Sequence, residues 1–342
     1  MNTTFRNIVL GTMLLTFIVV VLGAYVRLSD AGLGCPDWPG CYGKLIGVPE
    51  SGAEIDTANA EYERPVEIGK AWKEMIHRYV AGFLGILIFI ISFLLIRKDE
   101  NGERHITSGI MLTGVLIFQA MLGMWTVTLQ LKPLIVMGHL LGGFTLFNLL
   151  AWQWLRSLQF NIHLDYRVAQ KFYKFSIVAI TVLALQIALG GWVSSNYAAL
   201  ACVDFPTCQQ SWWPSMDFRN GFILWRGLGV DYEFGVLDHP ARVAIHYTHR
   251  IGAVVTLIVL GFYLHSLARN AGENLVLRKA AWLASGLLVL QLFLGFSNVY
   301  FKLPLTVAVL HNGVALLLLF SIVSTCYMLK SATRSNHPYS KV

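Results

Sequence analysis

Four histidines carry the chemistry that this sequence makes available. His77, His139, His249 and His311 each lie inside, or at the mouth of, an apolar stretch long enough to cross a bilayer, where an imidazole is costly and marks function by default. They fall into two pairs. An offset of 172 residues places His77 on His249 and His139 on His311, and the same offset matches Gln119 with Gln291 and Gly123 with Gly295. In each pair one histidine opens a span and the other lies about six residues into a later one, so a rise of about 1.5 Å per residue brings both rings to a similar shallow depth. Two imidazoles at one level on neighbouring helices form the axial clamp of a haem iron in a bundle core. The residues therefore predict two bis-histidine haem sites. For a single histidine, helix-to-helix hydrogen bonding is an equal reading, but four in duplicated pairs favour ligation. A zinc or copper ion fits less well, because two ligands per half leave a tetrahedral ion short.

Around these pairs the halves differ. Glu74 is three residues before His77 and shares its helix face, whereas the matching position in the second half is His246. A carboxylate beside one haem site can take or relay protons during oxidation of a bound group; its plainer role is a first-turn glutamate complementing the helix dipole. His246 is read as an interfacial hydrogen-bonding residue in preference to an alternate ligand. Arg78 and Arg250 follow the first histidine of each pair, and their guanidinium groups suit haem propionates, with snorkelling to the interface as the alternative. Gln119 and Gln291 read as helix-to-helix hydrogen-bonding groups. Four of the five cysteines form two Cys-x5-Cys pairs, Cys35 with Cys41 and Cys202 with Cys208, each just after a span in a compartment expected to be oxidising. Two local disulfides follow, for which structural and redox roles are left as equal readings. Cys326 has no partner and reads as inert.

The elements that must position these residues are membrane helices. Hydrophobic residues make up 56% of the 342-residue chain and charged residues 13%, which excludes a soluble globular protein. The net charge of +7 is dispersed among helix ends and short loops, so nucleic acid is not an expected partner. Eight apolar stretches, near 8–27, 75–96, 106–128, 134–155, 172–194, 243–266, 279–300 and 304–328, are long enough to span. The first is too long for a signal peptide and lacks a clear small-residue cleavage site, so it reads as a retained helix. No Arg/Ser-rich transit segment precedes it, so a bacterial inner-membrane protein is expected.

Arg97, Lys98 and Arg104, then Arg156, Arg167, Lys171 and Lys174, then Arg269, Arg278 and Lys279 gather in the short connections. They mark the cytoplasmic side. Both termini then lie inside, and the long loops near 28–74 and 195–242 face the periplasm. The stretch 209–240, with Trp212, Trp213 and Trp225, is expected to rest on the interface. A second offset, of 167, pairs Leu22-Gly23 with Leu189-Gly190 and Cys35–Cys41 with Cys202–Cys208. The fold class is thus an all-α membrane protein of eight transmembrane helices in two duplicated four-helix bundles, related by an axis along the membrane normal. Residues 1–157 form the first bundle, 158–174 a cytoplasmic linker, 175–330 the second bundle and 331–342 a cytoplasmic tail.

Gly32-Leu33-Gly34-Cys35-Pro36-Asp37-Trp38-Pro39-Gly40-Cys41, Glu74-Met75-Ile76-His77-Arg78, Gly138-His139, Thr248-His249-Arg250 and Leu310-His311-Asn312 together resemble the haem A synthase family, over nearly the whole chain. The resemblance implies a substrate haem O held by His77 and His139, with Glu74 at the reactive site, and a cofactor haem B held by His249 and His311. It further implies two successive hydroxylations of a haem ring methyl to a formyl group, giving haem A for cytochrome oxidase. Association with haem O synthase, an electron donor of unspecified identity and homo-oligomers belong to the same expectation, with lipid as the medium of substrate entry. The rival reading is a di-haem b-type membrane electron carrier, which would need neither Glu74 nor unequal halves. A transporter would call for helix breaks near the midplane, and the sequence has none.

Overall fold

The computed structural model describes residues 3–97, 104–158, 160 and 162–335. Its described residues form ten helices: α1 (Thr3–Leu28), α2 (Gly52–Glu61), α3 (Ile68–Ile96), α4 (Ile106–Thr128), α5 (Pro133–Ser157), α6 (Tyr166–Ser195), α7 (Phe218–Gly221), α8 (His239–Asn270), α9 (Leu275–Tyr300) and α10 (Leu305–Ser335). All but α2 and α7 are long and apolar enough to cross a membrane. The chain is a multi-pass membrane protein. Helices meet the demand that every backbone polar group in hydrocarbon be satisfied within its own segment.

Several spans start earlier than hydropathy alone suggests. Asp165 accepts hydrogen bonds from the Arg167 and Val168 amides and caps α6, so the stretch read as a linker to residue 174 becomes helix from Tyr166. Likewise α3 begins at Ile68, and its first two turns carry Lys70, Lys73 and Glu74. His77 accordingly does not open its helix. Hydropathy finds the part of a helix that lipid covers, and the polar turns outside it are invisible to that measure. Lys98 and the tail beyond residue 335 fall outside the described residues.

Neighbouring helices close two rings. In one, α1 packs on α3 and α5, and α4 packs on the same two; in the other, α6 packs on α8 and α10, as does α9. The rings meet through α1 against α10 and through α5 against both α6 and α10. Phe147 of α5 marks this seam, its ring 6.4 Å from Phe17 of α1 and 5.7 Å from Phe320 of α10. Phe83, Phe89, Phe93, Phe262 and Phe293, by contrast, are exposed on outer faces, as expected of side chains that lipid solvates.

The long loops also touch across the seam. Arg27 donates to Ser194 O at 2.9 Å and lies 4.3 Å over the Tyr197 ring. Arg64 bridges Asp231, at 2.5 Å, and Glu233. Arg27 and Ser194 are 167 residues apart, as are Arg64 and Asp231, which is the separation that matches Cys35 with Cys202. The buried Lys132 ammonium bonds Gly227 O and sits 3.5 Å over the Trp225 ring. Burial pushes its pKa below the ordinary lysine value. Trp212 and Trp213 are about 70% exposed, at 70% and 72%. In the first loop, Ser51 and Glu54 form a capping box on α2, and Lys44 with the cap amides holds the Glu54 carboxyl down at about 2.

Inside the second ring, the buried Tyr263 hydroxyl shares a 2.9 Å hydrogen bond with Thr325, joining α8 to α10. Thr325 also donates to Ile322 O, so it keeps a partner without the tyrosine. Tyr263→Phe is expected to cost about 0.5–1.5 kcal/mol, the net worth of one such bond. Thermal unfolding in detergent should show a lowered midpoint, and an unchanged midpoint would remove this bond from the packing account.

Candidate haem-binding site

The four histidines come from α3, α5, α8 and α10, and each meets a glycine on the adjacent helix. A Cβ built on Gly23 of α1 would lie 3.0 Å from His77 Cε1, and one on Gly123 of α4 would lie 3.1 Å from His139 Cε1. The same holds for Gly190 of α6 with His249 and Gly295 of α9 with His311, both at 3.2 Å. These separations are tighter than ordinary van der Waals contact, so each ring fills the slot that a missing side chain leaves. The slot lets two helices approach closely around a bulky ring.

The pairs lie within the rings of helices. α3 and α5, which carry His77 and His139, both pack on α1 and α4, and α8 and α10, which carry His249 and His311, both pack on α6 and α9. Nδ1 of His77, His139 and His311 is buried with no hydrogen-bond partner among the described residues. An unpartnered buried nitrogen is expensive and stands ready to bind something absent from the protein itself. No group of three or more His, Cys, Asp or Glu among the described residues could hold a bare ion. Two histidines per site suit an iron whose remaining ligands come from a macrocycle. The arrangement fits haem.

Above the first pair sits the carboxylate. Glu74 is 5% exposed and lies near the end of the second turn of α3, which sets aside a first-turn dipole role. Its Oε2 accepts from Cys35 N at 2.9 Å and its Oε1 from Arg78 at 2.6 Å. Arg78 in turn donates to Asp37 O at 3.0 Å, Pro39 O at 3.3 Å and Gly40 O. One arginine thus ties the buried carboxylate to the Cys35–Cys41 loop. Gly34 makes this fit possible, since a Cβ there would lie 2.6 Å from the Lys70 carbonyl carbon.

The second half builds the same frame with a different centre. Arg250 donates to Cys202 O at 2.8 Å, Asp204 O at 2.8 Å and Thr207 O at 2.9 Å. His246 takes the place of Glu74: its Nδ1 is 3.4 Å from Cys202 N and its Nε2 is 3.2 Å from Arg250 Nε. A neutral imidazole has one acceptor nitrogen, so it cannot accept both bonds as the carboxylate does. His246 is the hydrogen-bonding residue expected from the sequence.

Both disulfides form, Cys35–Cys41 and Cys202–Cys208, while Cys326 is free and buried. Inside each loop an aspartate accepts from two following amides. Asp37 takes Tyr42 N at 2.6 Å and Gly43 N at 2.9 Å; Asp204 takes Gln209 N at 2.6 Å and Gln210 N at 3.0 Å. The two loops are one scaffold built twice.

Glutamines complete the surroundings. Gln119 donates across to His139 O at 2.7 Å, and Gln291 Nε2 lies 3.3 Å from His311 Nε2, the helix-to-helix contacts expected of them. Gln186 escaped the sequence reading, although its Nε2 lies 3.1 Å from His249 Nδ1 and donates to His249 O at 3.0 Å. Its counterpart at the 167 offset is Val19, so no duplication drew attention to it. The available signal was different: Gln-x3-Gly occurs at 119–123, 186–190 and 291–295.

Paired histidines in glycine slots, within rings of membrane helices, define the class: a multi-pass membrane protein with two pairs of intramembrane histidines. Residues 6–323 match the model of the family described as cytochrome oxidase assembly protein, and the chain belongs to that family. It is 45% identical to the heme A synthase of Shewanella oneidensis over 95% of this chain and 97% of that protein. It is also 28% identical to the heme A synthase of Alkalihalophilus pseudofirmus, over 94% of each chain. A further heme A synthase, from Halalkalibacterium halodurans, is 26% identical over 96% of this chain and 97% of its own.

Gly34→Ala should displace the first loop, because the clash is with backbone and cannot be relieved by a rotamer change. Overpacking of this kind costs about 1–3 kcal/mol. The expected result is a lower thermal midpoint together with faster reduction and alkylation of Cys35 and Cys41; unchanged reduction would show that the loop tolerates the added methyl.

Proposed function

We propose that this protein is a haem A synthase, taking haem O as substrate between His77 and His139 and keeping haem B as cofactor between His249 and His311. The observation that carries the reading is the inequality of two otherwise matched sites: a buried carboxylate stands one turn from His77 where a histidine stands one turn from His249. The names of the relatives support the same activity. A ring methyl of haem O would be hydroxylated twice, with oxidant and electrons supplied from outside this chain, and loss of water from the resulting geminal diol would leave the formyl group of haem A.

The division of labour follows from the residues. Haem B, when bound, supplies one-electron transfer. Glu74 holds or accepts a proton near the substrate ring, and Arg78 fixes its carboxylate while closing the Cys35–Cys41 loop over it. A polar cleft lined by Gly34, Tyr42, Arg64, Glu67, Lys70 and Glu233 opens beside the residue that precedes Cys35 and offers the proton a way out. Propionates at this edge would compete with loop carbonyls for Arg78 and Arg250. The matched aspartate turns in both loops support a structural role for the disulfides, since the second loop has the same frame without the carboxylate.

An apolar groove lined by Trp38, Phe89, Leu116, Ile117, Met121 and Met124 lies between α3 and α4 and supports lateral entry of an amphipathic haem with a farnesyl tail. The two halves read as duplicated units of residues 1–157 and 175–330. The equivalent helix rings support this, as do the contacts between residues 167 apart, which are expected beside a two-fold axis. With arginines and lysines in the short connections inside, both termini face the cytoplasm of a bacterial inner membrane and the disulfide loops face the periplasm. Haem O synthase and an electron donor are the partners that such chemistry would require; homo-oligomers stay part of the proposal. A di-haem electron carrier would have no use for Glu74.

Membranes from cells making haem O, with and without this protein, should differ by a formyl haem or its hydroxymethyl precursor on extraction, chromatography and mass determination. Unchanged haem O beside a purified di-haem protein, with a competent electron donor present, would overturn the activity. Glu74→Gln keeps an acceptor for Cys35 N and should retain haem B while slowing turnover by about 100-fold or more, the scale of a lost acid–base group; full activity would remove Glu74 from the chemistry. His249→Ala and His311→Ala should each lose haem B from the purified protein, as judged by its absorption spectrum, and retention would move the cofactor elsewhere.

A further inference from the structure

The four histidines are not held alike. On α4, α6 and α9 a glutamine sits four residues, about one helical turn, before the glycine that makes each slot: Gln119 before Gly123, Gln186 before Gly190 and Gln291 before Gly295. Each reaches the histidine in that slot, at 2.7 Å to His139 O, at 3.0 and 3.1 Å to His249 O and Nδ1, and at 3.3 Å to His311 Nε2. In all three the amide oxygen Oε1 is buried and has no partner. On α1 the corresponding residue before Gly23 is Val19, which offers His77 no hydrogen bond. His77 Nδ1 is buried and unpartnered.

A ligating histidine commonly donates its other ring N–H to a nearby acceptor, which fixes the ring and makes it a better ligand. Here the glutamines hold the histidines from the donor side: Gln119 and Gln186 donate to the backbone carbonyls of His139 and His249, and the amides of Gln186 and Gln291 also lie beside the His249 and His311 rings, which fixes the helix turn or the ring that each site uses. Three histidines have this partner within reach. The fourth has a valine.

We propose that Gln119, Gln186 and Gln291 are positioning residues that lock three of the haem-binding histidines, and that Val19 leaves His77 as the labile ligand, the one that lets the substrate haem enter and leave. This rests on the assignment of the two histidine pairs to haem. It gives the pairs opposite properties that their tasks demand. A cofactor stays, and both of its ligands are locked by Gln186 and Gln291. A substrate must depart as product; its site keeps one fixed wall, His139 with Gln119, and one that swings. The asymmetry lies on α1, away from Glu74, and so separates the halves by a criterion independent of the carboxylate.

The test measures haem release. Purified full-length protein loaded with iron protoporphyrin IX is mixed with excess apomyoglobin, and transfer is followed by absorbance. Two phases are expected in the unmodified chain, the faster from the His77–His139 site. Val19→Gln should slow the fast phase by about tenfold, the lower end of what an outer-shell partner contributes to metal affinity, and leave the slow phase alone. Gln186→Val should accelerate the slow phase by a similar factor. Size-exclusion elution and circular dichroism confirm folding, and the low-spin bis-imidazole spectrum of each loaded variant shows that both ligands still bind. A fast phase unaltered by Val19→Gln, or a slow phase unaltered by Gln186→Val, in a folded protein would overturn the proposal. A fast phase that survives His77→Ala unchanged would instead show that it does not come from this pair, and would overturn the site assignment beneath it.

Discussion

An imidazole ring inside a membrane helix has to be given room and a purpose, and the rest of this structure depends on how that is done. The ring is too broad for two helices packed side chain to side chain, and its nitrogens are too polar to face hydrocarbon unpaired. The solution recurs four times: a glycine on the neighbouring helix removes one Cβ and the histidine lies in the gap. Fixing these contacts fixes which helices are neighbours, α1 with α3, α4 with α5, α6 with α8 and α9 with α10. The helix rings follow from those pairings, and the aromatic seam around Phe147 joins them. Van der Waals packing and close approach do the work here, since lipid removes the hydrophobic drive that would bring helices together in water.

The second dependence runs from the loops to the site. A carboxylate buried beside His77 survives because it is bonded on both oxygens, to the Cys35 amide and to Arg78. Arg78 is held by the carbonyls of a loop that the disulfide and the Asp37 turn keep in shape. Remove any member and a buried polar group is left without its partner, which costs more than the bond itself contributed. Arg250 performs the same service in the second half beside the His246 imidazole. The two frames are parallel and their centres unequal, a carboxylate in one and an imidazole in the other.

Much of this was legible in the sequence. The spans follow from hydropathy, the histidine pairs and cysteine loops recur at offsets of 172 and 167, and Glu74 stands out because its counterpart is His246. What stayed hidden is equally specific. Apolar windows do not register the polar first turns of α3 and α6, so Glu74 seemed to lie at a helix start when it lies under a loop. The loop carbonyls that Arg78 and Arg250 meet leave no mark in the sequence, where an arginine beside a ligand at a membrane edge suggests an anion such as a propionate. Gln186 has no glutamine at its matching position in the other half, and its signal is the glutamine–glycine spacing of 119–123, 186–190 and 291–295, with Val19 before Gly23 as the exception.

The central claim is that each histidine pair clamps one haem. Near-infrared magnetic circular dichroism of the loaded ferric protein, combined with haem and protein quantification, tests it most directly. The account predicts two haems per chain, both with bis-imidazole charge-transfer bands, and loss of one of the two when either histidine of a pair is replaced. A single haem that survives replacement of either pair, or bands from ligands other than two imidazoles, would contradict it.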